Sequence, residues 1–103
     1  MAIDPQLCSA YQRDGVAVLR NLVSADTLES LRQGVADNMA HPGPWANEYT
    51  PAGSTGRFFD DYVNWNRIAP FAEVGMRGSV PEAALGLMDT QIARLFHEHV
   101  LVK

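Results

Sequence analysis

The residues with the most chemical potential lie near the end of the sequence. His97-Glu98-His99 sets two imidazoles two positions apart. On a strand that spacing puts both rings on one face, about 7 Å apart along the backbone, and turns Glu98 to the other. Two imidazoles at that distance suit a shared metal ion, but a site needs at least a third ligand. His41 is the only other histidine, and it falls in a distant loop. The commoner arrangement for such a pair is two partly buried, hydrogen-bonded histidines. Lys103 shares their face four residues after His99. An ammonium on an inward, apolar face needs an anion, so it suits a carboxylate ligand. At a chain end, a solvated lysine is the ordinary alternative.

Arg57 follows Gly56 and precedes Phe58-Phe59-Asp60-Asp61. A guanidinium beside aromatics can clamp a carboxylate, but a surface pair with Asp60 or Asp61 is the expected arrangement. The two aspartates are adjacent, so on a strand they point opposite ways and do not form an acid–base pair. Gly53-Ser54-Thr55-Gly56 lacks the lysine and following helix of a phosphate loop. Cys8 has no neighbour that would lower its pKa, and a buried structural thiol is the default.

The elements that must position these residues follow from local signals. Asp4-Pro5 starts a helix, the carboxylate capping free N–H groups and the proline sitting where no donor is lost. Gly15 stops it, and residues 16–20 read as a short strand. Ser24 caps a second helix, with Val23 and Leu28 placed for a hydrophobic staple. Leu28, Leu31, Val35 and Met39 form one apolar stripe ending before His41-Pro42. The next 16 residues, 41–56, hold three prolines and three glycines. Ordinary connections run about 4–6 residues, so a loop this long is functional or mobile. Trp45 and Tyr49 predict that it folds back onto the protein. Residues 57–62 read as a short strand, 64–74 as a helix interrupted by Pro70, and 79–88 as a helix broken by Asp89. Residues 92–103 read as a long strand, with His97, His99, Leu101 and Lys103 on one face and Glu98, Val100 and Val102 on the other. The chain stops inside this alternating pattern, which predicts that the encoding frame continues past Lys103 and that this is a piece of a longer protein.

Composition bounds the possibilities. A chain of 103 residues with 47% hydrophobic and 19% charged residues is one globular domain or part of one, and the helices and strands read above make it α+β. A net charge of -4 argues against nucleic-acid binding, which needs a basic surface. No apolar run approaches the roughly 18 residues of a membrane span. The start carries Asp4 and no cationic segment before an apolar run, which argues against a signal peptide. A lone cysteine suggests a reducing, cytoplasmic compartment.

Tyr11-Gln12-Arg13-Asp14-Gly15-Val16-Ala17-Val18-Leu19-Arg20-Asn21-Leu22-Val23-Ser24 resembles the opening of the phytanoyl-CoA dioxygenase family, iron(II)- and 2-oxoglutarate-dependent oxygenases. Arg94 through Lys103 resembles the first long strand of that family, which ends in lysine ahead of a Pro-Gly turn and the iron-binding His-x-Asp. The resemblance runs through the whole chain in order. It implies a double-stranded β-helix, or jelly roll, of which residues 1–103 are an N-terminal fragment carrying the first helices and strands. It also implies iron ligands outside this chain, since His97-Glu98-His99 is not the His-x-Asp. His99 falls at the position that lines the 2-oxoglutarate pocket, where Gln or Met is more usual. Lys103 and, more weakly, Arg57 are the other implied co-substrate contacts. The expected activity of the longer protein is hydroxylation of a small-molecule or acyl substrate. The fragment alone is expected to be inactive, with neither iron nor 2-oxoglutarate bound. The reading from another class is a self-contained α+β module that binds a partner through the 41–56 loop without catalysis.

Overall fold

The computed structural model describes residues 2–103 and is an α+β arrangement of four helices and a three-stranded antiparallel sheet. Helix α1 spans Pro5–Asp14; the Asp4 carboxylate accepts from the Gln6 amide at 2.8 Å, and Gly15 closes the helix with φ 75°. Helix α2 spans Ala25–Ala40, and Ser24 Oγ accepts from the Thr27 amide at 3.1 Å. Both caps stand where the sequence puts them, because a short side-chain oxygen before the first turn satisfies N–H groups that the helix cannot.

The sheet forms from β1 (Asn47–Glu48), β2 (Phe59–Tyr62) and β3 (His99–Val102), with β2 in the centre. Phe59 lies opposite Val102, Asp60 opposite Leu101, Asp61 opposite Val100 and Tyr62 opposite His99. Two more helices, α3 (Ala69–Met76) and α4 (Ser79–Met88), lie between β2 and β3 in the chain. Helix α2 packs on α3, α3 on α4, and α4 on α1. Phe59 and Val100 from the sheet meet Ile68 and Phe71, and Leu31, Val35 and Met39 of α2 close over them. Full burial of one such side chain is worth about 1.5–3 kcal/mol, so this cluster is the main apolar support of the sheet. Gly34 lets α2 approach: a Cβ there would lie 2.9 Å from Phe71 Cε1.

Several expectations need correction. Residues 16–19 are not a strand: they run without a pairing partner, leaving Val16 and Val18 exposed. A strand needs an edge to join, and the sheet contains only β1, β2 and β3, none of them paired with this segment. The strand expected over 92–103 is paired only over His99–Val102. Its ladder stops because β2 ends at Tyr62 and Val63 turns the chain away with φ 62°. Leu95 instead lies against Gly75 of α3. The 41–56 loop contains β1. Pro70 does not interrupt a helix; it stands in the first turn of α3, where its missing N–H costs nothing. Gly78, with φ 75°, precedes α4 at its N-cap. Leu28 is exposed, so the stripe on α2 begins at Leu31.

Candidate functional site

Strand alternation divides the sheet into two unlike sides. Phe59, Asp61, Val100 and Val102 face the helices. Asp60, Tyr62, His99 and Leu101 face the other way, where no helix covers them. Trp45 and Tyr49 return along this open side. The Trp45 ring stacks on Tyr62 with centroids 6.2 Å apart, and Tyr49 packs on Phe58 at 4.8 Å. The loop therefore folds back, as its aromatics predicted.

Tyr62 is the hub of the open face. Its ring lies 5.6 Å from His97 and 5.5 Å from His99, and the two imidazoles are 6.5 Å apart. His97 and His99 thus share a face although only His99 is in a strand. His99 Nε2 stands 3.3 Å from Asp60 Oδ2, and Asp60 Oδ1 accepts from Asn47 Nδ2 at 2.9 Å. A neutral His99 that donates from Nε2 keeps Nδ1 as an acceptor. Lys103 extends the same face, with its Nζ 5.4 Å from the centre of the Phe58 ring. Among the described residues the Lys103 ammonium has no carboxylate partner.

Arg57 is not part of this group. Its Nε donates to Glu48 Oε1 at 2.6 Å, its Nη1 to the Met39 carbonyl at 3.0 Å, and its guanidinium lies over the Phe59 ring at 4.6 Å. All three contacts belong to the helix-facing side. The expected pair with Asp60 or Asp61 is replaced by Glu48, which stands opposite Phe59 in the register. The Thr50 hydroxyl, followed by Arg57, holds the Glu48 carboxyl below its ordinary range. His41 is also elsewhere: its amide closes α2 on the Asp37 carbonyl and its own carbonyl accepts from Arg67. Cys8 lies against the Gly86 carbonyl at 3.6 Å, between α1 and α4.

Beneath the open face lies a buried polar cluster that the sequence reading missed. Asn38, Asp61 and Asn64 are fully buried. Asp61 Oδ2 accepts from Asn38 Nδ2 and from the Gly43 amide, each at 2.8 Å, and Oδ1 accepts from the Tyr62 amide at 2.8 Å. Arg67 donates to Asn64 Oδ1 at 2.7 Å. Burial pushes the Asp61 carboxyl up, but hydrogen bonds from Gly43, Asn38, Tyr62 and Asn64 outweigh it and leave the group below its ordinary range. Glu98 is the second overlooked carboxylate. It accepts from the Asn64 and Trp65 amides, while its carbonyl accepts from the Val63 amide. One signal was available: Asn38 follows Leu31 and Val35 at helical spacing, so it is a polar residue on the apolar face of α2.

No family model matches the chain, and neither the curated proteins nor the solved structures contain a match.

Proposed function

We propose that the chain is the N-terminal part of an iron(II)- and 2-oxoglutarate-dependent oxygenase of the phytanoyl-CoA dioxygenase type, with its open sheet face turned toward the co-substrate. The observation that supports this most is the position of Lys103. Its ammonium shares the uncovered face with His99 and Tyr62, while helices cover the opposite face. That division suits a sheet whose open side lines the inside of a jelly roll. A dicarboxylate would pair one carboxylate with Lys103, a point charge with three donors. His99 would border it, held in place by Asp60 and Tyr62. Arg57, already satisfied on the other side, takes no part.

The residues of this chain do not fit iron. Among the described residues no three His, Cys, Asp or Glu side chains converge to hold a metal ion. In this reading the metal ligands belong to sequence beyond Lys103, and the chain supplies only co-substrate and substrate surface. Among the described residues no helix is long and apolar enough to cross a membrane. The substrate class remains a small molecule or acyl group, bordered by Trp45 and Tyr49.

The test has two arms. The protein expressed from its uninterrupted genomic frame is titrated with 2-oxoglutarate and with succinamide, a neutral molecule of similar size, by calorimetry. The same protein is assayed for succinate with ferrous iron. The reading expects binding of the dicarboxylate alone, and succinate from the longer protein only. Absence of both would overturn it. It would also favour the second reading, a binding module that uses Trp45 and Tyr49, which are 55% and 50% exposed.

A further inference from the structure

Glu98 makes contacts that a surface carboxylate does not need. Three consecutive backbone N–H groups converge on this one residue. Val63 N donates to its carbonyl at 3.3 Å, Trp65 N donates to Oε2 at 3.1 Å, and Asn64 N donates to Oε1. Successive amides of this kind form a concavity for an anion, and here the chain supplies the anion itself. The first residue of the three is strained. Val63 has φ 62°, and a β-branched residue in that region is an outlier that persists only where its surroundings hold it.

The location of the strain gives it a consequence. Val63 directly follows Tyr62, whose ring contacts both imidazoles, and Glu98 lies between His97 and His99. The same contact that holds the turn therefore links Tyr62, at the end of β2, to the two histidines that flank Glu98. Glu98 faces away from the cluster, so it acts through the backbone.

We propose that Glu98 is the positioning residue of the open face: its hold on the Val63–Trp65 amides sets where Tyr62, His97 and His99 stand. The functional consequence rests on the reading that this face receives a dicarboxylate; the positioning itself does not. Without Glu98, Val63 relaxes toward ordinary backbone angles, Tyr62 shifts, and the two imidazoles lose their common wall. Glycine at position 63 adopts positive φ without strain, so it lessens the dependence on Glu98.

The experiment uses the full 103-residue chain without ligand. Nuclear Overhauser contacts from the Tyr62 ring to the His97 and His99 rings are measured in Glu98→Ala, Glu98→Gln, Val63→Gly and the Val63→Gly/Glu98→Ala double variant. Core signals of Phe59 and Val100 serve as the control for folding. The expected result is loss of the Tyr62–histidine contacts in Glu98→Ala with core signals kept, partial loss in Glu98→Gln, and recovery in the double variant. Where the same substitutions are carried in the longer protein and titrated with 2-oxoglutarate, Glu98→Ala weakens binding by about three- to tenfold through misplacement alone. Unchanged ring contacts in Glu98→Ala would overturn the proposal. Should that variant unfold, equal loss in the double variant would overturn it and recovery would uphold it. Failure of the longer protein to bind 2-oxoglutarate would count against the co-substrate reading, while the ring contacts still decide the role of Glu98.

Discussion

Asp60 and Asp61 are consecutive residues of β2 whose carboxylates serve opposite sides of the sheet. Asp60 faces the open side, where it meets His99 Nε2 at 3.3 Å. Asp61 faces the helices and is fully buried, tied to Asn38 of α2, to the Gly43 amide and to the amide of Tyr62. One carboxylate therefore borders the candidate site and the other fixes the scaffold beneath it.

Substitution should separate the two roles. In Asp61→Asn, one oxygen becomes an NH2 group facing donors, and a buried charged acceptor is lost. The expected destabilisation is about 3 kcal/mol, read as a shift in the urea midpoint at unchanged m-value. In Asp60→Asn, the loss is confined to a partly exposed pair and stays below about 1 kcal/mol. Equal midpoints for the two variants would contradict the assignment.

Asp61 also predicts how stability depends on pH. Its folded carboxyl titrates below the ordinary value of 3.8. Between the folded and unfolded values the unfolded chain binds the extra proton, so stability there rises with pH. The contribution is fully present above about pH 5 and is lost as pH falls through the folded value. Glu48 shifts in the same direction but is exposed, so it adds little. Thermal melts from pH 7 to pH 3 should be level at first and fall steeply below about pH 4. Asp61→Asn should flatten that fall, and an unchanged slope would show that another group controls it.

Gly43 is where loop and cluster touch. A Cβ there would overlap Asn64 Oδ1 and lie 3.2 Å from Asp61 Oδ2 and 3.3 Å from Arg67 Nη2. Gly43→Ala should cost about 1–3 kcal/mol, the range for overpacking a close-fitted site. Gly56 provides the control, because a Cβ there meets nothing within 4 Å. Gly56→Ala should leave the denaturation midpoint within experimental error.

How much of this was legible depended on whether a signal was local. Asp4 and Ser24 announce helices because a cap bonds within three residues of itself. The alternation from His97 to Lys103 fixed which residues share a face, since side-chain period is a property of the chain alone. Strand length was not legible in the same way. Residues 92–98 carry an alternating pattern, but pairing depends on where β2 ends, and that is decided by the backbone of Val63. Residues 16–19 show the same limit. The partner of Arg57 was missed because Glu48 lies across a turn, in a stretch that read as loop. For Asp61 the sequence offers only a surface pair with Arg57 and no pairing with Asp60; its real partners, 18 and 23 residues away, appear only once α2 and the loop are in place.

The remaining prediction separates the two cations proposed for the co-substrate. Lys103 and Arg57 are both basic residues beside phenylalanine rings, yet they lie on opposite sides of the sheet. Arg57 already serves Glu48 and the Met39 carbonyl, and turning it to the open face would break both contacts. Lys103 has no such commitment among the described residues. Losing a hydrogen bond to a charged group costs about 1.5–3 kcal/mol, or roughly 10–100-fold in affinity. Lys103→Met should therefore weaken 2-oxoglutarate binding to the longer protein by that factor and leave the melting temperature unchanged. Arg57→Met should do the reverse, lowering stability by up to about 1 kcal/mol, since the pair is partly exposed, with affinity preserved. Calorimetry and thermal melts on the same preparations give both readings. Loss of affinity in Arg57→Met with none in Lys103→Met would move the co-substrate to the helix-facing side and remove the open face from the argument.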